Sequence, residues 1–226
     1  MPPASSPTQT FKIMINNTPN QQRDAPLEYY RAKYRAIDPE ETEKRSFAHY
    51  DSENGRFVLN ALGFTIYAGW PEFILTPADP ERCPKELYGF AMQILVIRFL
   101  TEGAYAPPQG KFKAYRELPW GEVYDANFQG RAIKRLAYNF GTRPEAFEKA
   151  AVLLGGVKTG LGDASYDLAF IGGVICRLIL WAPEDEFPPS AQFLFSDNTP
   201  AAFNAEDLAA VGDVVISSLK EIAAIR

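Results

Sequence analysis

Histidine occurs once in this 226-residue chain, at His49, and cysteine twice, at Cys83 and Cys176. A lone imidazole leaves a single candidate for any Ser-His-Asp or Cys-His arrangement, and no G-x-S-x-G elbow accompanies it. Two thiols far apart in sequence, each among apolar neighbours, supply neither a disulfide framework nor the four closely spaced ligands of a structural zinc or iron–sulfur site. They are expected to be small buried thiols, with no metal site. Basic residues are in deficit: 23 Lys and Arg against 28 Asp and Glu give a net charge of -5, with a pI near 5.1. Such a surface repels a phosphate backbone, so nucleic acid is not an expected partner. Long apolar runs are missing too. The longest candidate, Leu87 to Leu100, is broken by Gln93 and Arg98, so no membrane-spanning helix is expected. Met1 to Pro7 has no basic flank, and the apolar run from Phe11 to Ile15 is short and carries Lys12. On that pattern no secretory signal is expected, and the expected location is the cytoplasm.

What is present suffices for a core. Hydrophobic residues make up 46% of the chain and aromatics 13%, beside an ordinary 23% of charged residues, which is the balance of a folding domain. Residues 1–25 are dominated by Pro, Ser, Thr, Asn and Gln and are expected to form a disordered tail. Residues 26–226 are expected to form one domain. Leu27, Tyr30, Tyr34 and Ile37 recur at helical spacing, and Asp38-Pro39-Glu40-Glu41 reads as the cap and first turn of a second helix. The runs Phe57 to Leu59, Phe64 to Tyr67 and Phe73 to Leu75 read as a meander. Pro84 and Gly103 bracket a helix from Lys85 to Glu102 that is apolar on nearly every side and should be central and buried. Further helices are expected near Gln129 to Tyr138 and Pro144 to Leu154. Three strands follow, Tyr166 to Ile171, Val174 to Trp181 and Ser190 to Phe195, then a helix from Ala205 to Ile225 with Asn204 as its cap. Its stripe of Leu208, Val211, Val215, Leu219 and Ile222 should pack on the sheet. Strands and helices come in blocks, which predicts an α+β fold: a mainly antiparallel sheet, a buried central helix and a C-terminal helix against the sheet.

Several fragments mimic known motifs. Gly155 to Gly162 is glycine-rich, but a phosphate loop ending at Lys158-Thr159 needs glycines where Val152 and Val157 stand, so a flexible connection is the expected reading. Lys158-Thr159-Gly160, Ser196-Asp197-Asn198 and Ser217 with Lys220 match the penicillin-binding signatures in reversed order, which that chemistry does not tolerate. Glu184-Asp185-Glu186 lacks EF-hand spacing and reads as a solvated acidic loop. Arg131, Lys134, Arg135 and Tyr138 lie at helical spacing near Lys111, Lys113 and Arg116, and this basic patch either attracts an anion or pairs with Glu122 or Asp125.

Arg177 is the sharpest clue, a charge inside the apolar run Val174 to Trp181 that demands a partner. If that run forms a hairpin with Ser190 to Phe195, one face carries Cys176, Leu178, Leu180, Ala191, Phe193 and Phe195, and is core. The other presents Arg177, Ile179, Trp181, Ser190, Gln192 and Leu194, a mixture suited to orienting a ligand. The competing reading is an ion pair of Arg177 with Asp163, Asp167 or Asp197.

Tyr115-Arg116-Glu117-Leu118-Pro119, Gly121-Glu122-Val123-Tyr124, Phe128-Gln129-Gly130-Arg131 and Phe140-Gly141, taken with Leu178-Ile179-Leu180-Trp181 and Glu186-Phe187-Pro188-Pro189-Ser190, give the chain a resemblance. It resembles the domain of unknown function 3786 family from about residue 27 onward. The resemblance implies a prokaryotic family frequent in anaerobes, some members of which carry an added cysteine-rich iron–sulfur module. With two cysteines this chain lacks that module, so a redox role implied by the relatives would need a separate partner protein. The resemblance assigns no catalytic residues.

The leading expectation is a binding or accessory protein that holds an anionic small molecule or a protein partner. Arg177 would anchor the ligand, Trp181 give a flat surface, Ser190 and Gln192 orient it, and Arg116, Arg131 and Lys134 widen the positive field. The alternatives are an enzyme working through Glu117 and Asp163 with Tyr124 as proton donor, and a structural subunit of a redox-associated assembly. The residues assign no cofactor.

Overall fold

Asp38 accepts hydrogen bonds from the amides of Glu40 and Glu41, and Pro39 opens the first turn, so α2 (Pro39–Ser46) starts where its sequence signals it. The computed structural model describes residues 21–224. Within it α1 (Gln21–Arg35) precedes α2 and begins inside the stretch expected to be a tail; the rest of that stretch lies outside the described residues. The meander follows as β1 (His49–Asp51), β2 (Arg56–Ala61), β3 (Phe64–Gly69) and β4 (Leu75–Pro77), antiparallel and in chain order. Phe57, Leu59 and Ala61 of β2 are buried and alternate with more exposed residues, as a strand with one covered face requires.

The central helix is shorter at its start than its bracketing residues imply. Lys85–Leu87 makes a single 3-10 turn, and α3 (Phe90–Glu102) begins after Gly89. Met92, Leu95, Val96, Ile97, Phe99 and Leu100 are all buried, so the helix is enclosed on more than one side.

The second sheet is assembled from distant segments in the order β5-β9-β8-β7-β6, every neighbour antiparallel. Its strands are β5 (Phe112–Ala114), β6 (Val157–Lys158), β7 (Ala164–Ala169), β8 (Ile175–Trp181) and β9 (Ser190–Ser196). The expected single sheet is therefore two antiparallel sheets in one α+β fold. Between β5 and β6 run α4 (Gly121–Phe128), a π-helical turn over Gln129–Ile133, α5 (Lys134–Phe140) and α6 (Pro144–Leu153). A single turn, α7 (Thr199–Ala202), leads to α8 (Ala205–Ala224), whose Asp207 amide donates to Asn204 Oδ1 at 3.0 Å.

The predicted stripe of α8 is buried, chiefly against α3, α4 and α6. The helix reaches the five-stranded sheet through Phe128, whose ring lies on Gly212 and also meets Phe193 and Phe195 of β9. Both sheets share one apolar core. They also touch through the backbone, where the Leu62 amide donates to the Ala169 carbonyl at 2.8 Å. Cys83 and Cys176 are buried free thiols, and burial pushes both up in pKa, Cys83 to about 11, which makes them poor nucleophiles. Among the described residues no helix is long and apolar enough to cross a membrane.

Candidate functional site

Alternation in β8 and β9 sends their odd and even positions to opposite faces, and the register pairs Arg177 with Leu194, Ile179 with Gln192 and Trp181 with Ser190. The two faces are those the sequence pattern implies. Cys176, Leu178, Leu180, Phe193 and Phe195 are buried in the core, and the opposite face carries the candidate residues.

Arg177 is committed within the fold. It stands opposite Asp167 in the β7–β8 ladder, with Nε 2.7 Å from Oδ1 and the second guanidinium nitrogen 2.8 Å from Oδ2. Its guanidinium carbon also lies 3.6 Å from the centre of the Phe112 ring. Hydrogen bonding to the Asp167 carboxylate holds its pKa above the ordinary arginine value. Of the three acids within reach in the sequence, the ladder selects Asp167, and the bidentate geometry uses the fork that an anionic ligand would need.

Ile179 separates Arg177 from the rest of the face and is only 4% exposed. The loop before β7 covers it: Gly162, at a φ of 56°, approaches so closely that a Cβ there would fall 2.7 Å from the Leu180 carbonyl oxygen and 2.8 Å from the Ile179 side chain. Ser165, buried in β7, fixes this loop by accepting from the Leu161 amide at 2.9 Å and pairing with the Thr159 hydroxyl at 2.6 Å. The glycine-rich connection is thus a stapled cover that includes β6.

Beyond the cover a cleft of about 660 Å³ opens at the tip of the hairpin, lined by Asp163, Trp181, Glu184, Phe187, Ser190 and Gln192 among others. Three of the predicted ligand-orienting residues, Trp181, Ser190 and Gln192, come together here with Asp163, a residue the sequence offers for acid–base chemistry. Asp163 ties the end of β8: its amide donates to the Leu180 carbonyl at 2.9 Å, and its Oδ2 accepts from the Ala182 amide at 2.7 Å. The hairpin loop is folded on itself. Glu184 and Phe187 exchange backbone hydrogen bonds across Asp185 and Glu186, with Asp185 at a φ of 44°. This turn presents Phe187 to solvent at 75% exposure. The charged residues lining the cleft, Asp163 and Glu184, are both acidic.

The remaining candidates lie elsewhere. Arg131 and Arg135 both bind Asp213 of α8, Arg131 at 2.6 Å, and Arg135 also reaches the Ser217 hydroxyl at 3.0 Å. Their partner is neither Glu122 nor Asp125 but a residue about eighty positions away. Lys134 is exposed. Arg116 lines a second cleft, of about 570 Å³, together with Lys113, Glu117, Trp120 and Glu122. Glu117 is tied locally, accepting from the Ala114 amide at 2.7 Å, and Tyr124 is exposed on α4. Glu117 and Asp163 line different clefts, and Tyr124 lines neither. His49 is exposed on β1, with Nδ1 2.9 Å from Glu43. Among the described residues no group of three or more His, Cys, Asp or Glu side chains is placed to hold a metal ion.

Two exposed aromatics are not foreseen from the sequence. Trp120 occupies a left-handed conformation at a φ of 64°, in a turn closed by the Gly121 amide donating to the Leu118 carbonyl at 2.9 Å. A Cβ at Gly121 would overlap the Tyr115 carbonyl oxygen at 1.9 Å, so Pro119-Trp120-Gly121 is the available signal. Phe47 is the second, also left-handed, at the end of α2.

The sequence pattern of a domain of unknown function, DUF3786, matches residues 38–218, from the cap of α2 into the last turns of α8, and the chain belongs to that family. Searches of the curated proteins and of the solved structures find no match.

Proposed function

We propose that this DUF3786 member is a binding or accessory protein of the cytoplasm that uses the cleft at the tip of the β8–β9 hairpin to hold a protein partner. The observation that carries the reading is the pairing of aromatic surface with uncompensated acidity: Trp181 and an exposed Phe187 beside Asp163 and Glu184, with no cation among the described lining residues. An aromatic face flanked by carboxylates suits the stem and charge of a lysine or arginine side chain from a partner, which gains cation–π and ionic contacts together. The folded Glu184–Phe187 turn supports the same reading, since a preordered loop loses little entropy on docking. Buried, unpaired thiols are in keeping with a reducing compartment.

A protein partner is favoured over a free anion because the guanidinium expected to anchor the anion is engaged by Asp167. The test is a photo-crosslinking phenylalanine analogue at position 187, introduced in the native host. One discrete crosslinked product, lost on Glu184→Lys in a chain that still folds, is the expected result. A product that persists unchanged in both Glu184→Lys and Trp181→Ala, or none at all, refutes the reading.

A further inference from the structure

A separate pocket of about 250 Å³ opens where the two sheets meet. Its walls come from the link between α2 and β1, from the middle of β2, from Tyr105, and from the turn between β7 and β8, with Phe99 of α3 among its lining. None of its described lining residues is charged, in a chain in which 23% of residues are. Phe99, Phe170 and Ile171 are almost fully buried and make much of the wall apolar. The Ser46 hydroxyl is engaged within the protein, donating to the Thr42 carbonyl at 2.6 Å and accepting from the Ala48 amide at 3.1 Å. Asn60 Oδ1 likewise accepts from the Thr65 hydroxyl at 2.9 Å. Water needs two or more free polar partners to be held, and among the lining side chains the Asn60 amide nitrogen and the Tyr105 hydroxyl are left to supply them against a mostly apolar wall.

The mouth is built at a conformational cost. Phe47 closes α2 in the left-handed region, at a φ of 55° where glycine is the usual residue, and leaves 74% of its surface exposed. Left-handed backbone in a residue of this type costs about 1–2 kcal/mol. Its ring meets Tyr105 at 4.6 Å between centroids. Tyr105 is fixed in turn: its amide donates to the Arg45 carbonyl at 2.9 Å, and the Arg45 guanidinium binds the Leu100 and Gly103 carbonyls. At the turn between β7 and β8, Gly172 and Gly173 have φ of 71° and 72°, and a Cβ on Gly172 would strike Phe99 at 2.7 Å and one on Gly173 would strike Tyr105 at 2.5 Å. Glycine there lets the backbone of this turn lie against the two rings.

We propose that this pocket is a binding site for a small, uncharged, apolar molecule of one or two rings, with Phe47 and Tyr105 as aromatic walls at its mouth. An apolar cavity of roughly 150 Å³ takes up benzene, so a pocket of this size accommodates toluene or indole. The site is independent of the hairpin cleft, and neither proposal requires the other.

Toluene and indole are the probes, titrated against the isotope-labelled full chain and followed by backbone amide resonances. Saturable shifts at Ala48, Val58 and Gly172, for one probe or both, are the expected result. Two variants fill the pocket from different elements, Ala48→Leu from the link between α2 and β1 and Ala169→Leu from the exposed end of β7, where added bulk is better tolerated. In a folded variant the affinity should be about tenfold weaker or less measurable still. Lining resonances unmoved by both probes, or shifts undiminished in a folded filling variant, overturn the proposal.

Discussion

Arg177 and Asp167 face each other across β8 and β7 and are joined by two parallel hydrogen bonds, with the Phe112 ring stacked on the guanidinium. Both side chains keep about a fifth of their surface exposed, at 22% and 20%, so solvent screens the pair without dissolving its geometry. Arg177→Met should cost about 1–2 kcal/mol by leaving Asp167 without its partner. Arg177→Met combined with Asp167→Leu should recover most of that loss. Urea midpoints of the two single variants and the double variant give the coupling directly. A double variant no more stable than Arg177→Met alone would show that the pair is not the source of the cost.

Asp207 carries the clearest pH signature. Burial pushes its carboxyl up to about 6 from the ordinary 3.8, against the pull of Arg98 at 2.8 Å. A carboxyl raised in the folded state binds its proton more tightly folded than unfolded, so stability falls as pH rises from 3.8 to about 6. Of the groups facing it, Arg98 limits the effect while Glu206 and Glu102 reinforce it, and the whole should amount to about 2 kcal/mol. Denaturant midpoints should show this contribution lost as pH rises from about 4 to about 6, in wild type and not in Asp207→Asn; parallel curves would count against it.

Gly162→Ala tests the cover over Ile179. It places a Cβ against the Leu180 carbonyl and forces alanine into left-handed backbone, for a loss of about 2 kcal/mol or more. Because the Trp181 ring lies 3.3 Å from where that Cβ would stand, the tryptophan emission should shift as well. A variant with wild-type melting and unchanged emission would mean that Gly162 does not press on the Leu180 carbonyl and the Trp181 ring.

Arg45→Met removes a guanidinium that caps the end of α3 through the Leu100 and Gly103 carbonyls. The loss should be about 1–3 kcal/mol, and hydrogen exchange at Tyr105 should accelerate as its anchor loosens. Unchanged exchange there would separate the cap from the pocket mouth.

Much of this fold is written in local pattern. The two-residue period of a strand, with Arg177 marking the outer side of an apolar run, sorts the hairpin into its two faces, and the register then brings Trp181, Ser190 and Gln192 together. Asp38-Pro39 and Asn204 announce two helix starts through side-chain chemistry that acts within three residues. What local pattern leaves open is choice among distant partners. Asp167 is one of three acids the sequence offers to Arg177, and only the β7–β8 register selects it. Asp213, which binds Arg131 and Arg135, lies on a helix that nothing near residue 131 foretells. α4 is obscure for another reason: only Gly121 and Phe128 of its residues are buried, so it has almost no stripe to read. Positive φ at Phe47 and Trp120 is a backbone choice that residue type argues against, so composition at those positions does not announce it.

The place of β9 has a consequence for biosynthesis. β5 is an edge strand whose neighbour among the described strands is β9, with Phe112 opposite Ser196, and the Tyr115 hydroxyl beside it donates to the Ala205 carbonyl at 2.7 Å. A ribosome working at about 5–20 residues per second emits β5 several seconds before its neighbour exists. Through that interval Phe112 and Tyr115 ride on a nascent segment whose strand partner is still to be made.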